Sequence, residues 1–118
     1  MQVPFSKSWW VEPGKLLAGC YPGDPNPAEA KRKLAALLAS GIRTVVCLQE
    51  PDEKSKGGQP FAPYEGTLRE LAREQGFSVD VLRFPIRDFS IPSPRVMAGI
   101  LDTIDDAITR GHPVYVHC

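Results

Sequence analysis

The chain has 118 residues, 42% hydrophobic and 24% charged, a length that allows one folding unit with a buried core and excludes two ordinary domains. That composition excludes a disordered tail or a fibre. With 14 basic residues against 14 acidic ones, no global field draws the protein to nucleic acid or to an anionic membrane surface.

The first segment, WWVEPGKLLAG from Trp9 to Gly19, places a Pro-Gly turn between two apolar stretches and predicts a short hairpin at a sheet edge. Trp9 and Trp10 alternate along it, one expected in the core and one at the surface. The turn-rich run CYPGDPNP ends in Asn26-Pro27, an N-cap followed by proline at the first helical position. Ala30, Leu34, Leu37 and Leu38 then recur at helical spacing, and Ser40-Gly41 supplies the stop. Arg32 and Lys33 fall on the solvated face of this helix. Ile42 to Leu48, a nearly continuous β-branched run, predicts a strand covered on both faces, with Cys47 directed into the core.

Residues 49–63 are polar and proline-rich, a loop at the C-terminal end of a strand, where α/β sites are built; its Asp52 and Glu53 are read as solvated charges. A helix is predicted over Tyr64 to Gln75, with Leu68, Leu71 and Ala72 on one face and Gly76 ending it. Ser78 to Phe84 alternates as a strand. A second loop, IRDFSIPS, runs into Ser93-Pro94, again an N-cap with proline at N1. The helix that follows reaches Arg110 with Val96, Met97, Ile100, Leu101, Ile104, Ala107 and Ile108 at 3.6 spacing. Gly111 closes it, His112 is solvent-facing turn material, and Val114-Tyr115-Val116 forms the last strand, leading into His117-Cys118. Strand and helix alternate, which predicts an α/β fold with a mainly parallel central sheet and flanking helices.

No apolar run reaches the roughly 18 residues of a membrane span, and MQVPFSKSWW lacks the apolar stretch of a secretory signal. The expected location is cytoplasmic. Cys20, Cys47 and Cys118 are odd in number and lack C-x-x-C spacing, so they read as thiols in a reducing compartment. Cys20 and Cys47 are taken as structural. No Cys/His cluster points to zinc, and no metal or other cofactor is expected.

Two residues carry the chemistry. Cys118 sits at the C-terminal end of a strand, and its neighbour His117, which points to the opposite face, would organise the following turn by hydrogen bonds rather than pair with the sulfur. Asp88 lies on a loop at the C-terminal end of another strand, so in a parallel sheet both open onto one crevice. A carboxylic acid there can protonate a leaving oxygen. Pro85 and Pro92 stiffen that loop, and Arg83 and Arg87 could add local positive charge.

The order of FPIRDFSIPS, a helix and GHPVYVHC resembles the cysteine-based phosphatases, the dual-specificity and protein tyrosine phosphatase superfamily. The opening WWVEPGKLLAGCYPG is similar to the first strands of small dual-specificity-like members. The resemblance implies Cys118 as nucleophile on phosphorus, Asp88 as general acid and later general base, His117 in support, and a phosphorylated substrate. Nucleic acid and membrane are not expected as partners, and the oligomeric state is left open. The family signature H-C-x5-R stops here at His-Cys. Residues 1–118 are therefore expected to be a single, incomplete phosphatase-like domain, lacking the phosphate-binding loop and C-terminal helices, inactive alone and exposing an apolar sheet face; the parent domain is expected to continue. Two alternatives stand beside this one. A rhodanese-like sulfurtransferase also presents a cysteine after a strand but needs no acid loop, and a non-catalytic pseudophosphatase or scaffold needs no turnover.

Overall fold

A computed structural model describes residues 2–48, 64–84 and 93–117. Within them the chain runs β1 (Ser8–Glu12), β2 (Leu16–Gly19), α1 (Pro27–Ala39), β3 (Thr44–Cys47), α2 (Glu65–Glu74), β4 (Asp80–Arg83), α3 (Pro94–Thr109) and β5 (Val114–His117). The strands form one five-stranded sheet in the order β1-β2-β5-β3-β4. β1 is antiparallel to β2 at one edge, and the other neighbouring pairs are parallel. The expected hairpin, edge position and mainly parallel α/β sheet are all present.

Local chemistry sets the helix ends. Asn26 Oδ1 accepts hydrogen bonds from the backbone N–H of Ala28 at 2.9 Å and Glu29 at 3.4 Å, and Ser93 Oγ accepts from Val96 N–H at 3.2 Å, so both predicted caps form ahead of a proline. At the other ends Gly41, Gly76 and Gly111 adopt φ of +96°, +88° and +78°, the left-handed turn that halts a helix. The predicted strands Ile42–Leu48 and Ser78–Phe84 shorten because ladder pairing starts only at Thr44 opposite Asp80. Ile42 stays fully buried in the core.

Alternation along the strands divides two cores. Leu17, Val45 and Tyr115 face α1 and α2, where Leu34, Leu37, Leu38, Leu68, Leu71 and Ala72 cover them. Val46 and Val114 face the other way, beneath Ile100, Ile104 and Ala107 of α3. The expectation of an exposed apolar sheet face is thus corrected in extent, since α3 lies over the sheet centre. What stays open is the β1 end, with Trp9 and Val11 58% and 57% exposed, and the outer flank of α3 at Val96, Met97 and Leu101. Trp10, one residue out of phase with Trp9, packs on the first core and donates its indole N–H to Gln2 O at 2.9 Å.

Two further readings change. Lys33 is not simply solvated: its Nζ donates to the carbonyls of Tyr21 and Gly23 at 3.1 and 2.9 Å and lies 5.2 Å from the Phe5 ring centre, because α1 packs against the loop that follows β2. His112 is half-buried with Nδ1 enclosed, because its N–H bonds back to Ala107 O at 2.9 Å and folds the turn onto the end of α3.

Candidate active site

Four residues stand in one row across the C-terminal ends of the parallel strands. Gly19 pairs with His117, His117 with Cys47, and Cys47 with Arg83. Pairing continues one residue further, Leu48 N–H donating to His117 O at 2.8 Å and Phe84 N–H to Cys47 O at 2.9 Å. Open parallel sheets place their ligands beyond this edge. Cys118 continues β5 in sequence, and residues 49–63 and 85–92 leave β3 and β4 at the same edge. Cys118, Asp88, Arg87, Asp52 and Glu53 lie outside the described residues.

His117, the described member of the predicted site, is 2% exposed and walled by aromatic rings. Tyr115 stacks on it at 5.8 Å between centroids, while Tyr64 and Tyr21 approach edge-on at 5.4 and 6.4 Å. The phenol of Tyr64 hydrogen-bonds to His117 Nε2 at 2.6 Å. Burial first, and the electrostatic interaction with neighbouring Cys47 second, push the Tyr64 phenol well above its ordinary pKa, with Arg83 opposing. It therefore stays protonated and shares this hydrogen bond with the imidazole. The imidazole is held by a group far away in sequence, in addition to whatever it does for the turn after it.

Tyr64 was missed because nothing in its periodicity marks it. It is the cap residue of α2, after the proline-rich loop, and only the sheet topology brings it over β5. Position alone, an aromatic at the start of the helix that follows residues 49–63, was the available signal.

Arg83, expected to add local positive charge, is held by two partners. Its Nη1 donates to Cys47 Sγ at 3.4 Å, and its Nη2 is ion-paired with Glu65 of α2. Part of the guanidinium charge is thereby committed to this contact. Cys47 is fully buried, as expected, and Cys20 is a half-buried thiol whose carbonyl accepts the Tyr115 hydroxyl.

That hydroxyl explains the glycine of the A-G-x-Y-P-G run. A Cβ on Gly19 would lie 2.6 Å from Lys7 O, 2.7 Å from Tyr115 Oη and 2.9 Å from Ser8 Cα. Only glycine lets β1, β2 and β5 meet this closely beside His117.

The described residues form an α/β fold around a five-stranded sheet whose parallel strands end together at one edge. The chain matches, over residues 21–118, the family described as polymorphic toxin system, DSP-PTPase phosphatase, and it belongs to that family. Among solved structures it is similar to Tk-PTP in its active form, with 23% identity and a TM-score of 0.64 over 95% of this chain and 61% of that one. It is similar to a putative phosphatase from Shewanella putrefaciens CN-32, with 20% identity and a TM-score of 0.59 over 95% and 58%. A third is TpbA of P. aeruginosa, a cysteine-to-serine form in complex with phosphotyrosine, with 17% identity and a TM-score of 0.54 over 93% and 57%. This chain spans about three fifths of the length of each of the three. No curated protein matches it. Among the described residues no helix is long and apolar enough to cross a membrane, and no His/Cys/Asp/Glu cluster could hold a metal ion.

Proposed function

We propose that the chain carries the nucleophile and the general acid of a phosphomonoester hydrolase working through a cysteinyl-phosphate. In the first step the Cys118 thiolate forms an S–P bond as the P–O bond to the leaving group breaks, and Asp88 gives its proton to the departing oxygen. In the second step water forms the new P–O bond, the S–P bond breaks, and the Asp88 carboxylate takes the proton from water. The observation that carries this reading is the aligned row Gly19, His117, Cys47 and Arg83. In sequence, Cys118 follows His117 of that row directly and Asp88 follows Arg83 by five residues, which supports assigning both to this edge.

The substrate we propose is a phosphorylated molecule, with phosphotyrosine the first candidate because TpbA binds it. The family description suggests that the enzyme serves a polymorphic toxin system. The two thiols free among the described residues, Cys20 and Cys47, suit a reducing cytoplasm as its place of action. Residues 1–118 alone are expected to turn over no substrate usefully, because the signature arginine and phosphate loop, which would supply most of the transition-state stabilisation, fall after Cys118 in the resembling family.

The experiment is hydrolysis of p-nitrophenyl phosphate by residues 1–118 and by a polypeptide extended through the signature arginine. Activity in the second, abolished by Cys118→Ser and lowered about 10²- to 10⁴-fold by Asp88→Ala, is expected. Unchanged turnover in Cys118→Ser overturns the assignment. Asp88→Ala would then hold substrates for identification from a phosphotyrosine peptide panel.

A further inference from the structure

We infer that the cleft between the N-terminal segment, the loop after β2 and α1 receives a second anionic group of the substrate, a carboxylate or phosphate beside the phosphoryl group to be removed. This rests on the proposed phosphomonoester hydrolysis and narrows its substrate class.

The cleft has a volume of about 420 Å³ and is lined by Phe5 and Lys7 of the N-terminal segment, Cys20 and Tyr21 of the loop, and Arg32 and Lys33 of α1. The N-terminal segment is fastened in place, with Cys20 N–H donating to Lys7 O at 3.0 Å and Ser8 Oγ to Phe5 O at 2.6 Å. Gly19, the residue before Cys20, is paired with His117, and the Tyr21 ring lies edge-on to the His117 ring at 6.4 Å. The cleft therefore begins one strand, about 4.8 Å, from the end of β5.

Its charges are unequally committed. Three cations, Lys7, Arg32 and Lys33, face two carboxylates, Asp24 and Glu29. Both carboxylates have partners within the protein. Glu29 accepts from Arg32 Nε at 3.1 Å and Nη2 at 2.9 Å, and Asp24 Oδ1 accepts from Asn26 N–H at 2.9 Å. Neither lysine is ion-paired with a carboxylate among the described residues. Lys33 is half-buried and gives two of its three donors to the carbonyls of Tyr21 and Gly23. Neutral carbonyls orient an ammonium without cancelling its charge, so Lys33 is a fixed cation with a donor left over. A cation already held in place binds an anion with little further ordering of its side chain. It repels a cationic neighbour of the phosphoryl group and so discriminates between substrates.

The test titrates the ¹⁵N-labelled 118-residue chain with three phosphotyrosine peptides that differ only in the next residue, which is glutamate, phosphoserine or lysine. The amide shifts of Gly23, Arg32 and Lys33 report binding in the cleft. The glutamate and phosphoserine peptides are expected to shift them and to bind about two- to fivefold more tightly than the lysine peptide, the scale of one half-exposed ion pair. The tighter of these two identifies the anion as carboxylate or phosphate. Lys33→Met should remove the preference, Lys7→Met should reduce it, and neither should weaken binding of the lysine peptide. Equal affinity for all three peptides, or a preference that survives Lys33→Met in a folded protein, overturns the inference. Should Lys33→Met not fold, Lys7→Met and salt decide: a preference unchanged both in Lys7→Met and in about 0.5 M sodium chloride, where exposed charges are screened, overturns it. Hydrolysis that persists in Cys118→Ser overturns the phosphatase reading instead, whatever the peptide preference.

Discussion

At the residue scale the protein depends on a few groups whose surroundings fix their state. Tyr64 is the clearest, because burial raises its phenol pKa. A group whose folded pKa lies above its unfolded value adds stability below the unfolded value and loses it as pH rises toward the folded one. Stability should therefore fall from about pH 10 upward, by at most about 1.4 kcal/mol per pH unit from this one group. Urea unfolding at neutral and alkaline pH measures the slope, and Tyr64→Phe should flatten it. Gly19→Ala drives a methyl into backbone at Lys7 and Ser8 and should cost about 1–3 kcal/mol in the same assay. The sequence made His117 visible through its place beside Cys118. It hid Tyr64 and the Glu65–Arg83 pair, because their contacts are made by the crossover of the chain and not by any local spacing.

At the element scale, the signals that were legible are the ones written locally. Asn26-Pro27, Ser93-Pro94 and the glycines after each helix act within a turn of themselves, and all formed as expected. Strand ends were less legible, since Thr44 pairs and Ile42 does not for reasons that lie in β4 and β5. Replacing Asn26 by Ala removes the acceptor for two N–H groups and should cost about 1 kcal/mol. The two helical layers are unequal. α1 seals Leu34, Leu37 and Leu38 almost completely, whereas α3 leaves Val96, Met97 and Leu101 in solvent. Leu37→Ala should cost about 2–5 kcal/mol. Amides of α3 should exchange with deuterium before those of α1, because a helix with fewer covered apolar groups opens at lower free energy.

Over the whole molecule, charge and shape combine. Formal charge is zero near neutrality, and Trp9, Val11 and Leu101 are open to solvent. Solubility should pass through a minimum near pH 7, where electrostatic repulsion between molecules is weakest; light scattering against pH reads it directly. Adding two glutamates on the exposed face of α1 should shift that minimum to lower pH. The whole-fold class was legible because alternation of strand and helix is a global pattern written in every segment. The strand order was not, since nothing in Val114–His117 says which neighbours it will take.

That order has a consequence for how the protein comes into being. β5, the last of the described strands in chain order, is the one that lies between β2 and β3, so the hairpin β1–β2 and the pair β3–β4 share no ladder until it arrives. During synthesis the two half-sheets must wait as separate, incompletely covered pieces while the chain through Pro113 is already exposed, a long-range closure of the kind that slows folding. A nascent chain ending at Pro113 should show no cooperative unfolding transition, and one ending at Cys118 should show it. A chain made only as far as Pro113 therefore lacks the strand that joins the two half-sheets.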